Sequence, residues 1–136
     1  MNKFIVSVVV TLIAFAALSS PAQASEGQPV IQVQRIDVHG NPALYVEMVE
    51  RVIARQNQVA PELKTRVLRA DFAGEEAGLV YVLVEFPNLE AMAEALVALE
   101  QDEEWRSLVQ NVVEKTGRKI ISRMLLTDIS PWETNP

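Results

Sequence analysis

The stretch Leu79-Val80-Tyr81-Val82-Leu83-Val84-Glu85-Phe86 constrains this chain most. It is β-branched, aliphatic and aromatic, and apolar on both sides, the composition of a central strand. It runs directly into Pro87-Asn88-Leu89-Glu90. Asn88 suits a helix cap, and Glu90 falls in the first turn, where a negative charge meets the helix dipole favourably. A buried strand that hands over to a helix without a spacer implies a layered fold of mixed type.

The other segments group around it. Ile31 to Val38 reads as a first strand, with Ile31 and Val33 on one side and Ile36 and Val38 on the other. Either a one-residue bulge near Arg35 or burial on both faces explains that switch. His39-Gly40-Asn41-Pro42 ends the strand and opens a helix, with Asn41 as cap and Pro42 at the first helical position. Leu44, Tyr45, Met48, Val49, Val52 and Ile53 recur at helical spacing, opposite Glu47, Glu50, Arg51, Arg55 and Gln56. The helix must stop before Pro61. Thr65 to Phe72 reads as a second strand. The turn Ala73 to Gly78, bracketed by glycine, makes an antiparallel hairpin with the third. After Asn88, Leu89, Met92, Ala93, Leu96 and Leu99 form one stripe. The pattern restarts at Gln101-Asp102 with Trp105, Leu108, Val109, Val112 and Val113, as one kinked helix or two abutting ones. Gly117 suits a left-handed cap, and Arg118 to Ile129 is the fourth strand. The order strand, helix, strand, strand, helix, strand is that of the ferredoxin-like α+β sandwich, with both helical layers on one face of a four-stranded antiparallel sheet.

The domain occupies residues 30–129 of a 136-residue chain. Residues 1–24 read as a cleavable signal peptide: Lys3, an apolar run from Phe4 to Leu18, then Ala22-Gln23-Ala24 before the cut. The run is shorter than the roughly 20 residues that span a bilayer, so no membrane anchor is expected after cleavage. Residues 25–29 are a polar lead-in and 130–136 a tail without periodicity. The expected location is periplasmic or secreted. The chain has no cysteine, which removes disulfides, thiolate metal sites and cysteine nucleophiles. Its formal charge of -6 disfavours a nucleic-acid partner.

Alternation sorts the strand faces. Val80, Val82, Val84 and Phe86, with Leu68, Ala70, Phe72, Ile36, Val38, Ile120, Met124 and Leu126, are assigned to the helix-covered core. The opposite face then holds Val33, Arg35, Asp37, His39, Val67, Arg69, Asp71, Tyr81, Leu83, Glu85, Ile121, Arg123, Leu125 and Thr127. That face is too apolar to stand bare. A second copy of the same sheet is the simplest cover, and a partly polar cavity is expected between the two.

Two stretches carry a resemblance: Val80-Tyr81-Val82-Leu83-Val84-Glu85-Phe86-Pro87-Asn88-Leu89-Glu90-Ala91-Met92, and Asp102-Glu103-Glu104-Trp105-Arg106-Ser107-Leu108. The chain resembles the dimeric α/β-barrel superfamily, in particular its NIPSNAP-type and antibiotic-biosynthesis-monooxygenase-type branches. The resemblance spans Val30 to Ile129. It implies a homodimer, and a superfamily whose members include cofactor-free monooxygenases, haem-degrading enzymes, isomerases, cyclases and domains with no known reaction. No catalytic signature of one branch is present.

The candidate residues follow from the inferred cavity. Arg35, Arg69 and Arg123 are candidates for holding a carboxylate or enolate, since a guanidinium fork binds such groups at two points. Ion pairs with Asp37, Asp71 and Glu85 are the structural alternative. Tyr81 and Glu85 alternate on one strand and are candidates for proton transfer. His39, the one histidine, is either a general base, a haem ligand or a solvated loop residue. The acidic runs Glu75-Glu76 and Glu100 to Glu104 lack the layout of a calcium loop, and no metal site is expected. Dinucleotide, P-loop, zinc-peptidase and nucleophile-elbow patterns are absent. The expected function is a secreted dimeric barrel that binds a small apolar or aromatic molecule, an anionic one included, with cofactor-free oxidation or proton transfer as candidate chemistry and no specific reaction assigned. Non-enzymatic binding and haem binding are the alternatives.

Overall fold

The computed structural model describes residues 27–72 and 74–130. The expected signal peptide and residues 131–136 of the tail, Trp132 among them, lie outside the described residues. The elements are β1 (Val30–Asp37), α1 (Pro42–Val59), β2 (Lys64–Arg69), β3 (Val80–Phe86), α2 (Leu89–Gln101), α3 (Glu103–Thr116) and β4 (Lys119–Thr127). A 3-10 turn, Gly74–Glu76, sits between β2 and β3. The strands form one sheet in the order β2-β3-β1-β4, and every pairing is antiparallel. This is the ferredoxin-like arrangement, with all three helices contributing to one core.

β3 is fully buried at every second residue: Val80, Val82, Val84 and Phe86 are each at most 8% exposed. Tyr45, Val49 and Val52 of α1, Met92, Ala95 and Leu99 of α2, and Val112 of α3 close over them, with Val30 and Ile36 of β1 beside. Trp105 packs against the rim of this cluster. Within α1 the polar side is less clean than its spacing predicts. Gln56 is buried, and its amide donates to Thr65 Oγ1 at 2.5 Å.

Local caps explain the helix limits. Asn41 Oδ1 accepts from Leu44 N at 3.2 Å, and Asn88 Oδ1 accepts from Ala91 N at 2.8 Å. The second helical region is two abutting helices joined at Asp102. That residue ends α2 and caps α3, accepting from Trp105 N at 2.7 Å. Its carboxylate also takes a two-point contact from Arg55 of α1, with Nε at 3.0 Å and Nη2 at 2.6 Å. A single acid therefore starts one helix, ends another and ties both to a third. Gly117 closes α3 in the left-handed conformation, φ 62°, as its position predicts.

The pairing corrects the face assignment on two strands. Leu68 lies opposite Tyr81 and Val67 opposite Val82, so Val67 and Arg69 share the core parity and Leu68 faces away. Phe72 lies beyond the strand and is fully exposed. On β4, Arg35 pairs with Ser122 but Ile36 pairs with Ile120, so Ile121 is an extra residue. That bulge leaves Ile120 in the core and turns Met124 and Leu126, 44% and 47% exposed, to the other face. Arg123, Leu125 and Thr127 take the helix side instead. In β1 no such switch is needed. Ile31 and Val33 face one way and Val30, Ile36 and Val38 the other, because the central strand is apolar on both faces.

Two outcomes are expected. Val82→Asp places an unpaired charge in the core and abolishes the cooperative thermal transition seen by circular dichroism. Asp102 gives a pH signature. Its hydrogen bonds to Arg55 first, then to the Trp105 N–H, hold its carboxyl below the ordinary carboxylate value of 3.8, against the opposing effect of burial. A carboxyl depressed by folding stabilises fully above its unfolded pKa, and that contribution disappears as pH falls through the folded value. Asp102→Asn is thus less stable than the parent at pH 7. The gap in melting temperature closes as pH is lowered from about 5 to about 2.

Candidate functional site

The face of the sheet away from the helices is organised in rows that cross the strands. Pairing places Leu68, Tyr81, Arg35 and Ser122 side by side on β2, β3, β1 and β4. The next row is Arg66, Leu83, Val33 and Met124, and the next Lys64, Glu85, Ile31 and Leu126. Successive rows on one face lie about 7 Å apart, two residues along each strand. A polar row is therefore followed by an apolar one. Val33 is 6% exposed yet stands outside the main core cluster, in the middle of the apolar row between Leu83 and Met124.

The polar row carries the chemistry. Arg35 Nη2 lies 2.5 Å from Glu76 Oε1, and Tyr81 donates its phenolic hydrogen to Glu76 Oε2. One carboxylate thus receives a cation and a phenol through separate oxygens. The bond to Glu76 holds the Tyr81 phenol above its ordinary range, and burial adds to it, while the nearby Arg35 charge opposes both. Two neighbouring polar atoms are buried without a partner among the described residues: Arg35 Nε and Ser122 Oγ.

Of the residues singled out from sequence, the structure brings Arg35 and Tyr81 together. Glu85 is on the same face, two rows away, where Lys64 Nζ approaches it at 3.8 Å. Arg69 and Arg123 do not join this face. Arg69 ends the edge strand β2, and its Nε donates to Asp71 Oδ1 at 2.6 Å. Arg123 has the core parity on β4, where burial, then the like charge of Arg118, lowers its pKa. His39 is elsewhere again. Its Nε2–H donates to the Gly117 carbonyl at 2.6 Å, its backbone N–H donates to Asp37 Oδ1 at 2.8 Å, and its φ is 52°. The imidazole ties the end of β1 to the end of α3.

Glu76 is the member that sequence reasoning passed over, grouped with Glu75 as an acidic run. Its placement comes from the hairpin connection. Ala70 N donates to Leu79 O and Gly78 N donates to Ala70 O, which folds the turn back beside β3. The signal available was the glycine bracket, Gly74 and Gly78, both at positive φ. Among the described residues no group of three His, Cys, Asp or Glu gathers to hold a metal. An open apolar groove of about 330 Å³ lies on the other side of the molecule, between α1 and β2, lined by Val46, Val49, Glu50, Ile53 and Val67. It contains none of the polar row.

No family model and no curated protein matches the sequence. Solved structures do. The cofactor-independent oxygenase SnoaB from Streptomyces nogalater superposes with a TM-score of 0.58 at 17% identity, over 78% of this chain and 98% of that one. A NIPSNAP family protein of unknown function from Agrobacterium tumefaciens gives 0.61 at 17% identity, over 79% and 96%. A NIPSNAP-like domain protein from Burkholderia xenovorans gives 0.60 at 18% identity, over 82% and 91%. At such identities the shared property is the fold. The chain has the ferredoxin-like α+β fold of these two groups, the same two that its sequence resembles.

His39→Asn tests the structural assignment of the histidine. Asparagine tolerates the left-handed backbone at this position but is too short to reach Gly117. The expected loss is about 1 kcal/mol, seen as a melting temperature lower by several degrees.

Proposed function

We propose that this is a secreted protein that works as a homodimer, two copies meeting through their open sheet faces around a pocket for a small apolar or aromatic molecule. The observation that carries this reading is the face itself. Leu68, Met124 and Leu126 are 49%, 44% and 47% exposed there, around the nearly covered Val33. An apolar patch of this kind marks a contact surface. Of the charged side chains in the three rows, Arg35 is paired with Glu76 and Lys64 with Glu85, and Arg66 on the edge strand alone has no ion pair among the described residues. Covering it therefore removes little unpaired charge from water. A second copy presents the same surface, which a two-fold axis makes self-complementary.

Between two such sheets the apolar row offers a flat wall and the polar row a set of directional groups, the usual composition of a small-molecule pocket. Tyr81 is the group placed to exchange a proton with the bound molecule. Proton transfer, or oxidation that needs no bound cofactor, is the chemistry this pocket fits. The cofactor-independent oxygenase among the structures of this fold supports the second. Export rests on the Ala22-Gln23-Ala24 signal, with Ser25 as the first residue of the mature chain.

Light scattering on the chain from Ser25 onward tests the assembly. A dimer at micromolar concentration is expected, and Met124→Glu with Leu126→Glu should give a folded monomer. A stable monomer of the parent chain would overturn the reading.

A further inference from the structure

We propose that Glu76 is a built-in stand-in for an acid on the ligand: Tyr81, Arg35 and Ser122 form a cradle for the carboxylate of a flat apolar molecule, which displaces Glu76 on binding. The inference rests on the pocket reading above and adds to it the class of ligand.

Register supplies the first argument. Arg35 is opposite Tyr81 on one side and opposite Ser122 on the other, so the three side chains stand in line across three strands. Directly paired residues have Cβ atoms about 5 Å apart, within reach of one carboxylate for long side chains. All three are hydrogen-bond donors.

Glu76 also leaves donors of this row unmet. Its closest approach to Arg35 is at Nη2. Arg35 Nε and Ser122 Oγ stay buried without a partner among the described residues. Buried donors in that condition are rare and unfavourable. The same chain shows what a structural pair looks like: Arg55 meets Asp102 through Nε and Nη2 together, and that carboxylate also caps a helix. Against that standard the Arg35–Glu76 contact is incomplete. A carboxylate from outside that used both nitrogens and the serine would bind in the better geometry.

Third, the Glu76 side chain can leave without unpacking the core. The turn Gly74–Glu76 buries no residue, and the Glu76 side chain is already 39% exposed. Swinging it into water strips no core contact. Fourth, the row beside the cradle is Leu83, Val33 and Met124, about 7 Å away along the strands. That is the distance from a carboxylate to the far ring of a fused bicyclic acid, so one molecule can reach both rows.

Calorimetric titration of the mature chain with 2-naphthoate and its neutral analogue 2-naphthamide tests this. Glu76→Ala should bind 2-naphthoate on the order of tenfold to a hundredfold more tightly than the parent, while 2-naphthamide changes by less than about threefold. Adding Arg35→Ala should erase the gain. No gain for 2-naphthoate, or an equal gain for 2-naphthamide, overturns the proposal while leaving the pocket intact. If neither probe binds the parent or Glu76→Ala, and light scattering shows a monomer, the pocket reading falls and the proposal with it. A readout independent of binding is the phenol of Tyr81, followed by absorbance during alkaline titration. Its midpoint should fall in Glu76→Ala, where Arg35 acts on it alone, and rise again with 2-naphthoate present. An unmoved midpoint shows that Glu76 does not hold this position and overturns the proposal.

Discussion

Residues that pair across neighbouring strands must face the same side of the sheet. In this molecule that constraint decides more than any single contact. β1 lies between β3 and β4, so its pairings fix the orientation of the residues opposite it on both neighbours. Once Ile36 is opposite Val80, the helix side and the open side of β3 are settled. The row of Tyr81, Arg35 and Ser122 then follows without further choice.

Much of the fold was legible for the same reason. β3 has apolar residues at all core positions, and Pro87 with the Asn88 cap leaves little freedom at its exit. Asn41, Asn88, Asp102 and Gly117 each act where their chemistry predicts. The failures are equally local. β2 is an edge strand whose two parities are both part apolar, through Val67 and Leu68, so composition could not say which faced the helices. The connection to β3 also proved longer than the glycine bracket suggested, because Ala70, Asp71 and Phe72 belong to it rather than to the strand. On β4 the alternation is real but interrupted. Pattern alone carries Ile120, Met124 and Leu126 onto one face, and only the pairing reveals that they divide.

The polar row was half legible. Arg35 and Tyr81 sit on strands and could be assigned by counting. Glu76 sits in a turn, where side-chain direction depends on backbone torsions and not on a period. Nothing in a Glu-Glu pair beside glycine distinguishes a solvated acid from one that reaches back across a sheet. The two arginine–carboxylate pairs also show how differently one chemistry is used in a single chain. Arg55 and Asp102 join three helices and satisfy each other at two points. Arg35 meets its acid on an otherwise open surface and leaves its Nε without a partner among the described residues.

The extra residue Ile121 has one more implication. It resets the phase of β4 partway along, so the two ends of one strand obey opposite rules for which side chains meet the helices. A chain shortened by that single residue would pair regularly, with Ser122 next to Ile120, and would keep every other side chain of the strand on its present face. A strand that kept Ile121 and ran straight through it would instead be turned over beyond it, bringing Arg123 and Leu125 out to the open side and sending Met124 and Leu126 beneath the helices. The identity of the outer surface therefore hangs on the pairing that sets aside one residue of no chemical distinction.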